Sequence, residues 1–231
     1  MKLQTQIIET DIDFEIGKIN VLEFEELNVF RRFIYSLNQY RYEGKADEEI
    51  MIIKNQKQLD IKESCLILMD FYNIDFHSQP IIKKILKDLE EEYKNQEDVQ
   101  NLLQEVNEKI EYFTQRLLLD YPIDLVSKKL NIRDYLKVLS IRPDSSLYKA
   151  PFEKVSFLIK LIHELKLYEL IVLVDLKKYC NDKQLLEIYK LTLYLDVKVL
   201  LVESSSIKGL LKYEKKILIE EDFCEYIIEN S

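Results

Sequence analysis

Only three glycines and four prolines punctuate 231 residues, so the chain has few places to turn sharply and little material for a flexible linker. It must be built of long regular elements, and the spacing of its apolar residues says which. Apolar runs of strand length, flanked by polar residues, occupy 18–24 (KINVLEF), 49–54 (EIMIIK) and 64–70 (SCLILMD). Between the first two, Val29, Phe33, Ile34 and Leu37 recur at helical spacing and leave Arg31 and Arg32 beside the stripe.

From Pro80 the texture changes. Ile81, Ile82, Ile85, Leu86 and Leu89 form one helical stripe, and Val99, Leu102, Leu103, Val106, Ile110, Phe113 and Leu117 form another. The connecting KNQED (94–98) holds no strong breaker, so the pair reads either as an antiparallel hairpin or as one bent helix. For the same reason the second stripe is open between an internal seam and a partner surface. A third helical segment, LNIRDYLKVL (130–139), stops before Pro143. Beyond Pro151 helix and strand alternate: a helix over 152–165, a strand at 169–175, a helix over 184–195, a strand at 197–203, and KKILIE (215–220) closing the set.

Strands apolar on both faces, alternating with helices, predict a mainly parallel sheet flanked by helices, an α/β fold. The expected organisation is a discontinuous head, 1–75 with 143–231, interrupted by a helical leg, 76–142. No run reaches the roughly 18 to 20 apolar residues of a membrane span, and the first fifteen residues turn acidic where a signal peptide would be apolar. That predicts a cytoplasmic protein with no membrane partner. Cys65, Cys180 and Cys224 are scattered through apolar runs, the pattern of reduced packing residues and not of a disulfide framework or zinc knuckle.

The search for catalysis is negative at each motif. Two strands end in aspartate, Asp70 and Asp175, as do strands that hold magnesium beside a nucleotide. The glycine-rich phosphate loop which that chemistry requires, GxxxxGK[ST], is absent. His77 and His163 have no nucleophile or ligand at a diagnostic spacing, the serines at 204–206 lie in no GxSxG elbow, and DLEEE (88–92) matches no calcium loop. Binding of a macromolecule is favoured over catalysis. The net charge of −9, from 33 basic and 42 acidic residues, opposes a uniformly nucleic-acid-binding surface but leaves room for a segregated basic one.

Residues 59–93 (LDIKESCLILMDFYNIDFHSQPIIKKILKDLEEEY) carry an IKES turn, an apolar strand, an aromatic-acidic loop and a helix. INVLEFEELNVFRRFI (19–34), LNIRDYLKVLSIR (130–142), LYELIVLVDLKKY (167–179) and VKVLLVES (197–204) surround them. In this order the segments resemble the Csn-two family, the ring-forming CRISPR adaptation proteins of type II-A systems, over nearly the whole chain. The resemblance implies a degenerate P-loop-like head and a homotetrameric ring whose lysine-lined hole encircles double-stranded DNA ends. It also implies no nuclease or ATPase activity, no nucleotide cofactor, and a role in spacer acquisition beside the integrase pair and the RNA-guided effector nuclease. An acidic exterior is compatible with a basic channel, because DNA senses the local potential.

Local positive charge nominates Arg31, Arg32, Lys54, Lys57, Lys62, Lys128, Lys129 and Arg133 for phosphate contact, each with the alternative of an ordinary solvated base. The family binds calcium through acidic residues where the leg returns to the head. Here LDYPIDLVSKKLNIRD retains Asp120 and Asp124 but places Lys128 and Lys129 where relatives are acidic, which puts calcium in doubt. Two other readings stand beside the ring: a phosphoryl-transfer enzyme using Asp70 or Asp175, and a helical scaffold without DNA affinity.

Overall fold

In the computed structural model, which describes residues 1–123, 125–204 and 209–229, the chain forms two compact units: Met1–Asp75 with Ser145–Ser231, and Phe76–Asp144. The first unit opens with β1 (Lys2–Thr5), β2 (Ile12–Asp13), β3 (Ile19–Phe24) and α1 (Leu27–Glu43). It continues through β4 (Ile50–Lys54), β5 (Lys57–Leu59), the single-turn α2 (Ile61–Ser64) and β6 (Cys65–Leu68). The second unit holds α3 (Gln79–Lys94), α4 (Glu97–Leu118) and α5 (Ile132–Val138). The chain then returns as α6 (Pro151–Leu165), β7 (Leu170–Val174), a 3-10 turn (Leu176–Lys178), α7 (Asp182–Tyr194), β8 (Val199–Ser204), β9 (Glu214–Ile219) and β10 (Glu225–Glu229).

The apolar runs read as buried strands are the spine of a six-stranded sheet in the order β10-β9-β3-β8-β7-β6. Every pairing in it is parallel except β9 with β10. All residues of β3 and β7 are buried, which is why these strands are apolar on both faces. Alternation along each strand divides the work. Leu22, Phe24, Val172, Val174, Leu200, Val202, Ile217 and Ile219 form one core with Val29, Phe33 and Leu37 of α1 and with Leu3, Ile12, Ile50 and Ile52. The opposite parity, carrying Glu23, Glu203, Glu214 and Lys216, lies on the face where Tyr189 of α7 reaches Glu214.

Three sequence expectations are corrected. The run at 49–54 is a strand, but it belongs to a second, antiparallel sheet of order β2-β1-β4-β5. The strand at Glu214–Ile219 does not close the set, because β10 pairs antiparallel on its outer side. Cys65 and Cys180 are buried as expected, whereas Cys224 is exposed in the turn before β10; burial pushes the Cys65 thiol up to about 12.

In the second unit the chain breaks at Asn95 and Gln96, between α3 and α4. The Gln100 side-chain amide answers the freed carbonyls of Tyr93 and Lys94, each at 3.1 Å. α3 buries Ile81 and Leu86, but α4 buries none of its residues. Of its stripe, Val99 and Leu103 are half-buried, whereas Leu102, Val106, Ile110, Phe113 and Leu117 are 40 to 69% exposed. No helix among the described residues is long and apolar enough to cross a membrane.

Candidate nucleic-acid interface

Four of the eight basic candidates are held by carboxylates. The Arg32 guanidinium pairs with Glu48, Lys54 with Glu169 at 2.6 Å, Lys129 with Glu111 at 3.4 Å and Arg133 with Glu90 at 2.9 Å. Arg31, Lys57, Lys62 and Lys128 are exposed and have no ion pair among the described residues. A phosphate would have to displace a bound carboxylate in the first group but only water in the second.

Local structure explains part of this division. β4 and β5 form a hairpin whose tip, Asn55 and Gln56, has φ of 51° and 62°, the left-handed pair of a tight two-residue turn. That register sets Lys54 directly opposite Lys57, an unfavourable like-charge pair; Glu169 relieves it at Lys54 and leaves Lys57 free. β5 leads straight into α2, capped by the Asp60 carboxylate on the Lys62 N–H at 2.8 Å, and α2 packs beside α1. Lys57, Lys62 and Arg31 therefore sit on neighbouring elements, although Arg31 is far from the two lysines in sequence. Lys128 belongs to the helical unit.

The strand-end aspartates are committed to their own backbone. Asp70 accepts from the Tyr72 and Asn73 N–H groups at 2.9 and 3.1 Å and from the Asn73 amide at 2.7 Å, and the Asn73 amide leads in holding its carboxyl below the usual range. Asp175 accepts the Ser204 N–H at 2.8 Å and hydroxyl at 2.9 Å, and pairs with Lys178 at 2.9 Å. β3 passes to α1 through Glu25 and Glu26 alone. The Glu26 carboxylate takes the Asn28 N–H at 2.8 Å, so an anion of the chain's own already fills the helix terminus that would bind a phosphate.

Beneath that edge lies a buried ionic cluster with no counterpart in the sequence reading. Lys177 and Glu214, 3% and 0% exposed, pair at 2.8 Å; Tyr189 donates to Glu214 at 2.6 Å, and the Lys177 N–H donates to Glu203 at 3.1 Å. Burial pushes the Glu203 carboxyl up to about 8. The available signal was parity, since Glu203 shares the inward face with Val199 and Leu201.

For calcium, Asp120 is exposed just past α4, Asp124 lies outside the described residues, and Lys128 and Lys129 follow. No group of three or more His, Cys, Asp or Glu side chains is placed to hold a metal among the described residues. A hard cation needs several converging oxygens, and the described residues bring no such group together here.

The family model described as CRISPR-associated protein (Cas_Csn2) matches residues 39–226. A Streptococcus agalactiae protein named CRISPR-associated protein Csn2 is 23% identical over 209 residues, covering 90% of each chain. The crystal structure of Stu0660 of Streptococcus thermophilus superposes with a TM-score of 0.60 at 15% identity, over 100% of this chain and 77% of that one. A nucleotide-free ATP-binding cassette from an ABC transporter superposes with a TM-score of 0.47 at 11% identity, over 95% of this chain and 87% of that one.

Proposed function

The chain belongs to the CRISPR-associated Cas_Csn2 family, and on that premise we propose that it binds the ends of double-stranded DNA as a homotetrameric ring, without catalysing a reaction, in support of spacer acquisition. The family match over 39–226 carries this reading. The partners are DNA ends, three further copies of the chain, the integrase pair and the RNA-guided effector nuclease, in the cytoplasm.

Three physical features support it. Exposed Arg31, Lys57, Lys62 and Lys128 keep their charge available despite the acidic total. The exposed stripe of α4 is an apolar surface of the kind that marks association. An antiparallel second copy would set Leu102 against Phe113 and Val106 against Ile110, with Lys109 near Glu105 and Arg116 near Asp98. The Glu26 cap and the tied Asp175 count against phosphoryl transfer.

The test is a gel-shift comparison of linear and covalently closed duplex of equal length at two salt concentrations. A preformed ring must thread an end, so binding should be confined to linear DNA and weaken with a log-log salt slope near −0.9 for each phosphate neutralised, roughly. Equal affinity for closed circles contradicts threading. No binding under any condition turns the reading to a scaffold acting through α4.

A further inference from the structure

At the C-terminal ends of β6 and β7 three aromatic rings meet outside the basic group described above. Phe71 is fully buried; Tyr179 packs edge-on against it with centroids 5.2 Å apart, and Tyr72 meets Tyr179 at 6.0 Å and 72°. Edge-to-face packing of Tyr179 on the buried Phe71 ring, and of Tyr72 on Tyr179, orients the two tyrosines while leaving ring surface open, and Tyr72 is 57% and Tyr179 42% exposed.

Two ammonium groups flank them. Lys178, next in the chain to Tyr179 and half-exposed, donates to Ser204 at 2.6 Å and to Asp175 at 2.9 Å, which leaves one of its three N–H groups without a partner among the described residues. The Lys154 ammonium donates to the Tyr72 carbonyl and likewise retains donors. The neighbouring carboxylates are already engaged, Asp175 by the Ser204 N–H and the Lys178 ammonium, and the exposed Asp70 by the Tyr72 and Asn73 N–H groups. Fixed aromatic faces beside lysines with spare donors are the combination that holds unpaired nucleic acid, by base stacking and phosphate contact. The carboxyl ends of parallel strands are also where open α/β sheets hold their ligands.

We infer that Tyr72 and Tyr179 form a stacking ledge for an unpaired nucleobase at a DNA end, with Lys178 and Lys154 on the adjoining phosphate; this rests on the DNA-end reading above. The ledge gives the protein a preference for ends with a single-stranded overhang. The sequence shows the aromatic-acidic loop after β6, but Tyr179 joins it only through the parallel pairing of β6 with β7.

The experiment compares a blunt duplex with one carrying 2-aminopurine in a short 3′ overhang. The overhang duplex should bind about tenfold tighter, the scale of one stacked base, and its 2-aminopurine fluorescence should be quenched on binding. Tyr72→Ala with Tyr179→Ala should remove the tenfold gain and the quench and leave blunt binding unchanged, whereas Tyr72→Phe with Tyr179→Phe should keep both. An overhang duplex bound no tighter and without quenching overturns the ledge but leaves end binding standing. If no duplex binds, the DNA-end reading fails, and a single-stranded 2-aminopurine oligonucleotide then decides the ledge: quenching supports it, its absence overturns it.

Discussion

Replacing Glu203 by Gln should flatten the dependence of stability on pH. In the folded chain Glu203 is 1% exposed, and burial, partly offset by the Lys177 N–H and the Lys177 and Lys178 charges, raises its carboxyl from 4.5 to about 8. An unfolded chain releases that proton near 4.5. Between the two values the unfolded state binds fewer protons than the folded one, so stability falls as pH rises and levels off above about 8. At 1.36 kcal/mol per pH unit the full interval is worth roughly 5 kcal/mol, and water reaching the site reduces the expected loss to about 2 to 5 kcal/mol. Glutamine keeps an oxygen to accept the Lys177 N–H, at 3.1 Å from Glu203 in the native chain, but cannot ionise. The assay is urea unfolding at half-unit steps from pH 5 to 8.5. With a urea slope of about 2 to 3 kcal/mol/M, the Glu203→Gln midpoint should exceed the native one by roughly 1 to 2 M at pH 8 and by little at pH 5. Parallel midpoint curves across the whole range would refute the reasoning.

Lys177→Met should destabilise the first unit by about 3 to 5 kcal/mol, because Glu214 is left fully buried without its ionic partner; calorimetry checks it, with Lys177→Met plus Glu214→Gln recovering part of the loss. Val106→Asp with Ile110→Asp should dissociate the assembly, read by light scattering, while circular dichroism stays unchanged, since α4 buries none of its residues. Lys57→Ala and Lys62→Ala should each lower the salt slope of DNA binding by about 0.9, whereas Arg32→Ala, whose guanidinium serves Glu48, should change it less. Millimolar calcium should leave the melting temperature unchanged relative to magnesium, because Lys128 and Lys129 remove ligands.

The strands that carry the parallel sheet were legible as apolar runs because a strand buried on both faces has almost no polar residues to hide it; β3, β7 and β8 are of this kind. The strands β1, β2 and β5 are two to four residues long, too short for a periodic signal, and β10 reads EYIIE with no deciding alternation. They exist because a partner edge is waiting for them. The α4 stripe shows the limit from the other side: its period proves a helix with one apolar face, and only the fold says that most of that face is left uncovered among the described residues.

Charge divides in the same way. Amino-acid order alone determined the α/β class, the helical segments after Pro80, the absence of a phosphate loop and the family likeness, because each depends on residues near one another in the chain. Tertiary structure decided that Lys54 is tied to Glu169 while Lys57 is free, that Lys177 meets Glu214 in the core, and that Tyr72 and Tyr179 share one ledge. Those outcomes depend on contacts between residues dozens of positions apart, where Coulomb energy, desolvation and ring packing act over a few ångströms of space and take no account of distance along the chain.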